Sequence, residues 1–272
     1  MYRVYNFNID PKSVFVIGDG HGEWGLLKYK IKDSGIKDSV IIMAGDCGFG
    51  FEKEEFYKQE YNKVKRILKE RNVTVIFVRG NHDDIQYFDG IKIDFEYWKA
   101  VPDYSVLSFS PNGEINGEIN GEGHNVLCVG GAISVDRLWR KTHESINKPL
   151  YWPDEIPVYK PEILDKMKED GIEVRTLVTH SSPSFAPLTD KNGITSFIQY
   201  DNALIEDIAN ERLVMTQIYD HLVKKDKHSL KLWIYGHFHQ HSLFYSDEDV
   251  KIIMLDMCNP RNNSWDIYPI SR

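Results

Sequence analysis

Val73-Thr74-Val75-Ile76-Phe77-Val78-Arg79-Gly80-Asn81-His82-Asp83 changes character in a single step. A β-branched, apolar run too short for a helix gives way to arginine, glycine and three side chains that bind protons or metals. Such an uninterrupted run suits a strand buried on both faces. Four other stretches repeat the design. Val14-Phe15-Val16-Ile17 stops at Gly18-Asp19-Gly20-His21-Gly22, and Val40-Ile41-Ile42-Met43-Ala44 stops at Gly45-Asp46-Cys47-Gly48. Leu177-Val178-Thr179 reaches His180, and Leu232-Trp233-Ile234-Tyr235 reaches Gly236-His237-Phe238-His239. Strands of this kind bring their polar termini together at the carboxyl edge of a sheet, where α/β proteins place their sites.

Helical periodicity fills the intervals. Trp24, Leu27 and Ile31 share a face, as do Tyr57, Tyr61, Val64 and Leu68 between about Glu54 and Glu70. Each stretch separates successive strands, as a β-α-β crossover requires, so the fold class is α/β. A third stretch, Asp201 to Lys225, carries Leu204, Ile208, Ile218 and Leu222 but slips phase near Asn210, which opens the reading of two helices. From Asn112 to Gly123 the chain repeats Asn-Gly-Glu, a preference of tight hairpin turns. Asp103–Ser110 and Asn125–Val129 would be the paired strands, and the repeat either a solvated tip or a flap over substrate. No Pro/Ser-rich linker interrupts the chain, so residues 1–272 read as one domain.

The strand ends collect Asp19, His21, Asp46, Asn81, His82, His180, His237 and His239, which include five of the ten histidines. Taken singly, a Gly-Asp is a turn and a buried histidine is a hydrogen-bonding core residue. Taken together, imidazole, carboxylate and amide oxygen form a hard-to-borderline donor set suited to Mn²⁺, Fe or Zn²⁺. The set exceeds what one ion needs, and two ions sharing a carboxylate use it economically. Adjacent glycines allow sharp turns and close backbone approach.

Composition limits the alternatives. The 272 residues carry a formal charge of -8, so a broad cationic track is absent and long nucleic acid is an improbable partner. Three dispersed cysteines, with no C-x-x-C, fit neither a disulfide scaffold nor a thiolate zinc site. Met1 to Asp10 lacks the pattern of a signal peptide, and no apolar run approaches the roughly 20 residues of a membrane span. The expectation is a cytoplasmic protein with no membrane contact and no obligate protein partner.

In content and order, Asp19-Gly20-His21, Gly45-Asp46, Gly80-Asn81-His82-Asp83, His180 and Gly236-His237-Phe238-His239 resemble the motifs of the calcineurin-like metallophosphoesterases. The resemblance implies a four-layer α/β/β/α sandwich with a dinuclear metal site at the carboxyl edge of its sheets. It implies two divalent ions, manganese favoured over iron or zinc. One would be held by Asp19, His21, Asp46 and His239, the other by Asp46, Asn81, His180 and His237. It further implies hydrolysis of a small phosphate ester by a bridging metal hydroxide, with His82 as general acid and Asp83 supporting it. Net charge does not oppose this, because two divalent ions outweigh two aspartates and a hydroxide locally. Arg79-Gly80-Asn81-His82 also resembles the Ser/Thr protein phosphatase branch, which would place Arg79 on the substrate phosphate and favour monoesters. However, Asp46-Cys47-Gly48 lacks that branch's Asp-Arg-Gly, and Asp83 with Gly236-His237-Phe238-His239 looks more like broader phosphoesterases and phosphodiesterases. Phosphodiesterase or nuclease activity and a noncatalytic metal-binding scaffold are the competing readings.

Other candidates are subsidiary. Gly130-Gly131-Ala132-Ile133-Ser134 follows another strand end and would bring Arg137 or Arg140 to substrate, or else leave both solvated. Tyr151-Trp152-Pro153 would wall the cleft or simply pack a loop, and Cys47 would fill space beside Asp46. His124, His143, His221, His228 and His241 fit no motif and are expected at the surface.

Overall fold

Every apolar run singled out above is a strand. The computed structural model describes residues 1–111, 123–145, 149–187, 194–258 and 265–271. Its strands are β1 (Val4–Phe7), β2 (Val14–Ile17), β3 (Ser39–Ala44), β4 (Val73–Val78), β5 (Trp98–Ala100), β6 (Ser105–Phe109), β7 (His124–Val129), β8 (Val174–Thr179), β9 (Leu232–Tyr235), β10 (Ser242–Tyr245), β11 (Lys251–Met254) and β12 (Ile267–Pro269). Its α-helices are α1 (Trp24–Asp33), α2 (Glu54–Arg71), α3 (Arg137–His143), α4 (Pro161–Glu169), α5 (Thr195–Ile198) and α6 (Leu204–Asp220).

Two sheets result. One has the order β12-β2-β3-β4-β5 and the other β1-β6-β7-β8-β9-β11-β10. The strands carrying the motifs pair in parallel, β2 with β3, β3 with β4, and β8 with β9. Their polar termini therefore lie at one edge of each sheet.

Alternation along the strands produces the layers. Val40, Ile42 and Ala44 of β3 meet Val126, Val178 and Ile234 in the core between the sheets. Ile41 and Met43 of the same strand turn outward to Trp24, Leu27, Tyr57 and Leu68 of α1 and α2. On the far side, Leu177 and Trp233 turn outward to Leu164, Met215 and Ile218 of α4 and α6. The four-layer α/β/β/α sandwich thus follows from strands buried on both faces.

α2 begins with Glu54 and Glu55 and ends with Lys69 and Arg71, matching the helix dipole, and stops at left-handed Asn72 (φ 51°). α6 corrects one expectation, because no break occurs near Asn210. Its buried face runs Leu204, Glu211, Met215, Ile218. Glu211 occupies a core position because its carboxylate accepts the Ile133 N–H, so the apolar phase is interrupted without the helix ending. β6 and β7 pair antiparallel as expected, while residues 112–122, the body of the Asn-Gly-Glu repeat, lie outside the described residues. His221 and His228 are 3% and 6% exposed, contrary to their expected surface location. Among the described residues, no helix is long and apolar enough to cross a membrane.

Candidate metal centre

Three strands of the smaller sheet deliver Asp19 and His21 (after β2), Asp46 (after β3), and Asn81 and His82 (after β4). The larger sheet delivers His180 (after β8) and His237 and His239 (after β9). Glycine makes the approach possible. A Cβ on Gly45 (φ +103°) would lie 1.9 Å from His180 Nδ1, and one on Gly236 would lie 2.1 Å from Asp19 Oδ1. Four of these residues themselves adopt left-handed backbone: His21 (φ 45°), Asp46 (46°), His237 (70°) and His239 (51°). Cross-links hold the turns in register. His82 N–H donates to Asp46 Oδ1 (2.9 Å), and His237 N–H donates to Asp19 Oδ1 (2.9 Å).

The side chains converge as two groups sharing Asp46. In the first, ligand atoms of Asp19, His21, Asp46 and His239 lie within 4.8 Å of one another. His21 Nε2 faces His239 Nε2 at 3.1 Å, and Asp19 Oδ2 is 3.0 Å from His239 Nε2. In the second, His180 Nε2 is 3.0 Å from Asn81 Oδ1 and 3.2 Å from Asp46 Oδ1. The His237 ring stacks edge-on to His180 at 5.0 Å. Lone-pair donors converging in a buried place, with two imidazole nitrogens aimed at each other, fit a pair of divalent cations. His180 Nδ1 is 2.7 Å from Ala44 O, an orienting partner of the kind that fixes a ligating tautomer. Burial lowers His237 to about 3, His180 adding to the fall, so near neutral pH His237 is a neutral imidazole with a lone pair to offer.

A model of the calcineurin-like phosphoesterase family matches residues 12–241. The chain belongs to that family. It is a metal-dependent phosphoesterase, a hydrolase acting on phosphate esters. Solved structures that align with this chain include a dimetal phosphatase from Danio rerio at 12% identity and TM-score 0.45, covering 94% of this chain and 92% of that one. GAP50, the anchor in the inner membrane complex of Plasmodium, aligns at 14% identity and TM-score 0.41, over 89% and 71% of the two chains. A Saccharomyces cerevisiae serine/threonine phosphatase aligns at 11% and 0.35, over 94% and 70%. Likenesses this distant carry no functional argument. Among curated proteins, none matches the chain significantly.

Around this cluster, three side chains expected at the substrate or at His82 have their hydrogen bonds elsewhere. Arg79 is 1% exposed. Its Nη2 donates to Asp103 Oδ2 at 2.9 Å and its Nη1 to Glu155 O at 2.8 Å, so both terminal nitrogens of the guanidinium are engaged inside the protein rather than open to substrate. Arg137 donates to Asp201 Oδ2 and Asp207 Oδ2, both at 2.6 Å, and is likewise committed. Asp83 does not support the His82 ring. It accepts N–H bonds from Gly80, Cys47, Gly48 and Phe49, at 2.8 to 2.9 Å, and so clamps the loop after Asp46 to the turn before Asn81.

Arg140, the other arginine of α3, does reach the centre. Its Nη2 lies 2.9 Å from His82 Nε2, while Asp136 Oδ1 (2.6 Å) and Leu150 O (3.1 Å) hold its remaining donors. Burial lowers the pKa of His82, Asp46 opposing and Arg140 adding to the fall. Trp152 is buried and packs against Phe51 at 4.9 Å, a loop contact rather than a cleft wall. Cys47 is fully buried and donates its thiol to Val78 O, a filler as expected.

Sequence reasoning missed Ser134 and Glu155. Asn81 Nδ2 donates to Ser134 Oγ (2.9 Å), which donates to Glu155 Oε2 (2.6 Å), fixing which end of the Asn81 amide faces His180. Ser134 was signalled by its strand-end position after Gly130-Gly131. Glu155 had no signal, because it arrives from an irregular segment.

Proposed function

We infer that the protein hydrolyses a small phosphate monoester, with Asp19, His21, Asp46 and His239 holding one divalent ion and Asp46, Asn81, His180 and His237 the other. Such a pair, manganese favoured, would lower the pKa of water toward neutrality and offset phosphoryl charge. The chain's own residues supply the rest. Asn81 is held amide-oxygen first by Ser134, and Asp46 is fixed by its bond from the His82 backbone. His82 stands at the mouth of the cluster, its side chain 25% exposed and its Nδ1 3.9 Å from Asp46 Oδ2, the carboxylate that opposes the fall in its pKa and would favour the imidazolium that protonates a departing oxygen.

The observation that carries the monoester reading is Arg140 Nη2 at 2.9 Å from His82 Nε2. A guanidinium beside the proton donor suits the additional negative charge of a monoester. The expectation attached to Arg79 thus passes to Arg140. A net charge of -8 favours small esters over a long nucleic-acid strand.

The test compares p-nitrophenyl phosphate with bis(p-nitrophenyl) phosphate on manganese-loaded protein. Arg140→Ala should depress kcat/KM for the monoester more than for the diester. His82→Ala should lower kcat by about 10²–10⁴ with metal content unchanged. Equal losses on the two esters would refute the monoester preference, and an unaffected His82→Ala enzyme would refute the proton donor.

A further inference from the structure

A second set of ligands gathers at the opposite edge of the larger sheet. Beyond Asp220 the helix α6 widens into a single π-helical turn, His221–Lys225, and the chain then passes Asp226 and His228 before entering β9. Ligand atoms of Asp165 (from α4), His221 and Asp226 lie within 4.8 Å of one another. His221 Nε2 is 3.1 Å from Asp165 Oδ1 and 3.2 Å from Asp226 Oδ2. His228 Nε2 is 3.9 Å from the same Asp226 oxygen.

Two of these atoms are buried without a hydrogen-bond partner: Asp226 Oδ2 and His228 Nε2. Their side chains are 8% and 0% exposed. A proton on His221 Nε2 serves one carboxylate and leaves the other unsatisfied, a costly arrangement when buried. A cation satisfies both together with the imidazoles. The outer nitrogens have partners of the right kind: His221 Nδ1 lies 2.7 Å from the Tyr159 hydroxyl, and His228 Nδ1 lies 3.4 Å from Glu173 Oε2, to which its N–H would donate when Nε2 holds a cation. Imidazole ligands characteristically have such partners.

We propose that Asp165, His221 and Asp226, completed by His228, form a mononuclear divalent-cation site separate from the dinuclear centre. Two imidazoles and two carboxylates make a borderline set that suits Zn²⁺. Tetrahedral ligands about 2.0–2.2 Å from zinc stand about 3.4 Å apart; His221 Nε2, at 3.1 and 3.2 Å from its two carboxylates, matches that spacing, and His228 Nε2, 3.9 Å from Asp226 Oδ2, would move inward to complete it. The ammonium of Lys225, which contacts Asp165 and lies 3.4 Å from His221 Nε2, is the competing cation. Its side chain is 55% exposed and can withdraw into solvent. The site flanks the amino ends of β8 and β9, whereas His180 and His237 follow their carboxyl ends. β8 has six residues, which separates the two sites by about 20 Å. The ion would tie α4, the end of α6 and the entry to β9 together, so its binding would appear as stability rather than rate.

The experiment titrates zinc into the metal-stripped full chain and counts bound ions by native mass spectrometry, alongside melting temperature. Wild type should bind three ions and Asp165→Asn two, while Asp165→Asn keeps p-nitrophenyl phosphate turnover within twofold after manganese loading. The Asp46→Ala protein should still show a zinc-dependent rise in melting temperature, and adding Asp165→Asn should abolish it. Lys225→Met should tighten zinc at this site several-fold, which a merely packing lysine would not do. The proposal is overturned if wild type and Asp165→Asn bind the same number of ions. It is equally overturned if the melting shift of the Asp46→Ala protein survives the addition of Asp165→Asn, or if Lys225→Met leaves zinc affinity unchanged. Failure of the dinuclear centre would instead remove ions from both proteins equally.

Discussion

Arg137 and Arg140 stand three residues apart on α3 and do different work. Arg137 is held by Asp201 and Asp207, and removing it leaves those carboxylates unmatched. Arg137→Ala should lower stability by about 1–3 kcal/mol with kcat/KM little changed, read from urea midpoints and initial rates. Arg140→Ala should do the reverse, lowering monoester kcat/KM on the order of 10² with a small stability change. Arg79 belongs with Arg137. Its pair with Asp103 is buried on the arginine side, and Arg79→Ala should cost about 3–5 kcal/mol in the same assay. No local pattern separates these three side chains. The residues that converge at the centre were legible because their types are rare and each follows an apolar run. The fate of an arginine depends on which acids the fold brings to it, and Asp103, Asp201 and Asp207 are ordinary surface-type residues in sequence.

At the scale of elements, the turns after β3 and β9 are shaped by contacts between the sheets. Gly236→Ala would drive a methyl into Asp19 Oδ1. That substitution should reduce metal content and melting temperature together, measurable by metal analysis and calorimetry on the same sample. The strands themselves were readable because burial on both faces writes a continuous apolar run. α6 was misread for the complementary reason. A buried glutamate bonded to a backbone N–H looks, in sequence, like the polar side of a helix.

At the scale of the whole molecule, stability should depend on pH through His124 of β7. Burial holds this imidazole down at about 4, with Arg175 contributing, and its Nε2 lies 2.8 Å from Thr176 Oγ1. The unfolded chain takes up the proton first, near pH 6.5. The stability that His124 contributes is therefore complete above about pH 6.5 and falls as the pH drops toward 4, by up to about 3 kcal/mol. His124→Gln should flatten that decline in urea midpoints measured between pH 7 and pH 4. A sequence shows the histidine but neither its burial nor its threonine partner.

The left-handed backbone at His21, Asp46, His237 and His239 bears on what selection has retained. Each such residue holds strain on the order of 1 kcal/mol that glycine would release. A His239→Gly or His21→Gly protein should therefore lose its hydrolytic activity and yet melt higher than the metal-stripped parent. A lineage relieved of catalysis would gain robustness by discarding these side chains. Their presence together, at four strained positions, means that without its ions this chain stands below the durability its architecture would otherwise reach.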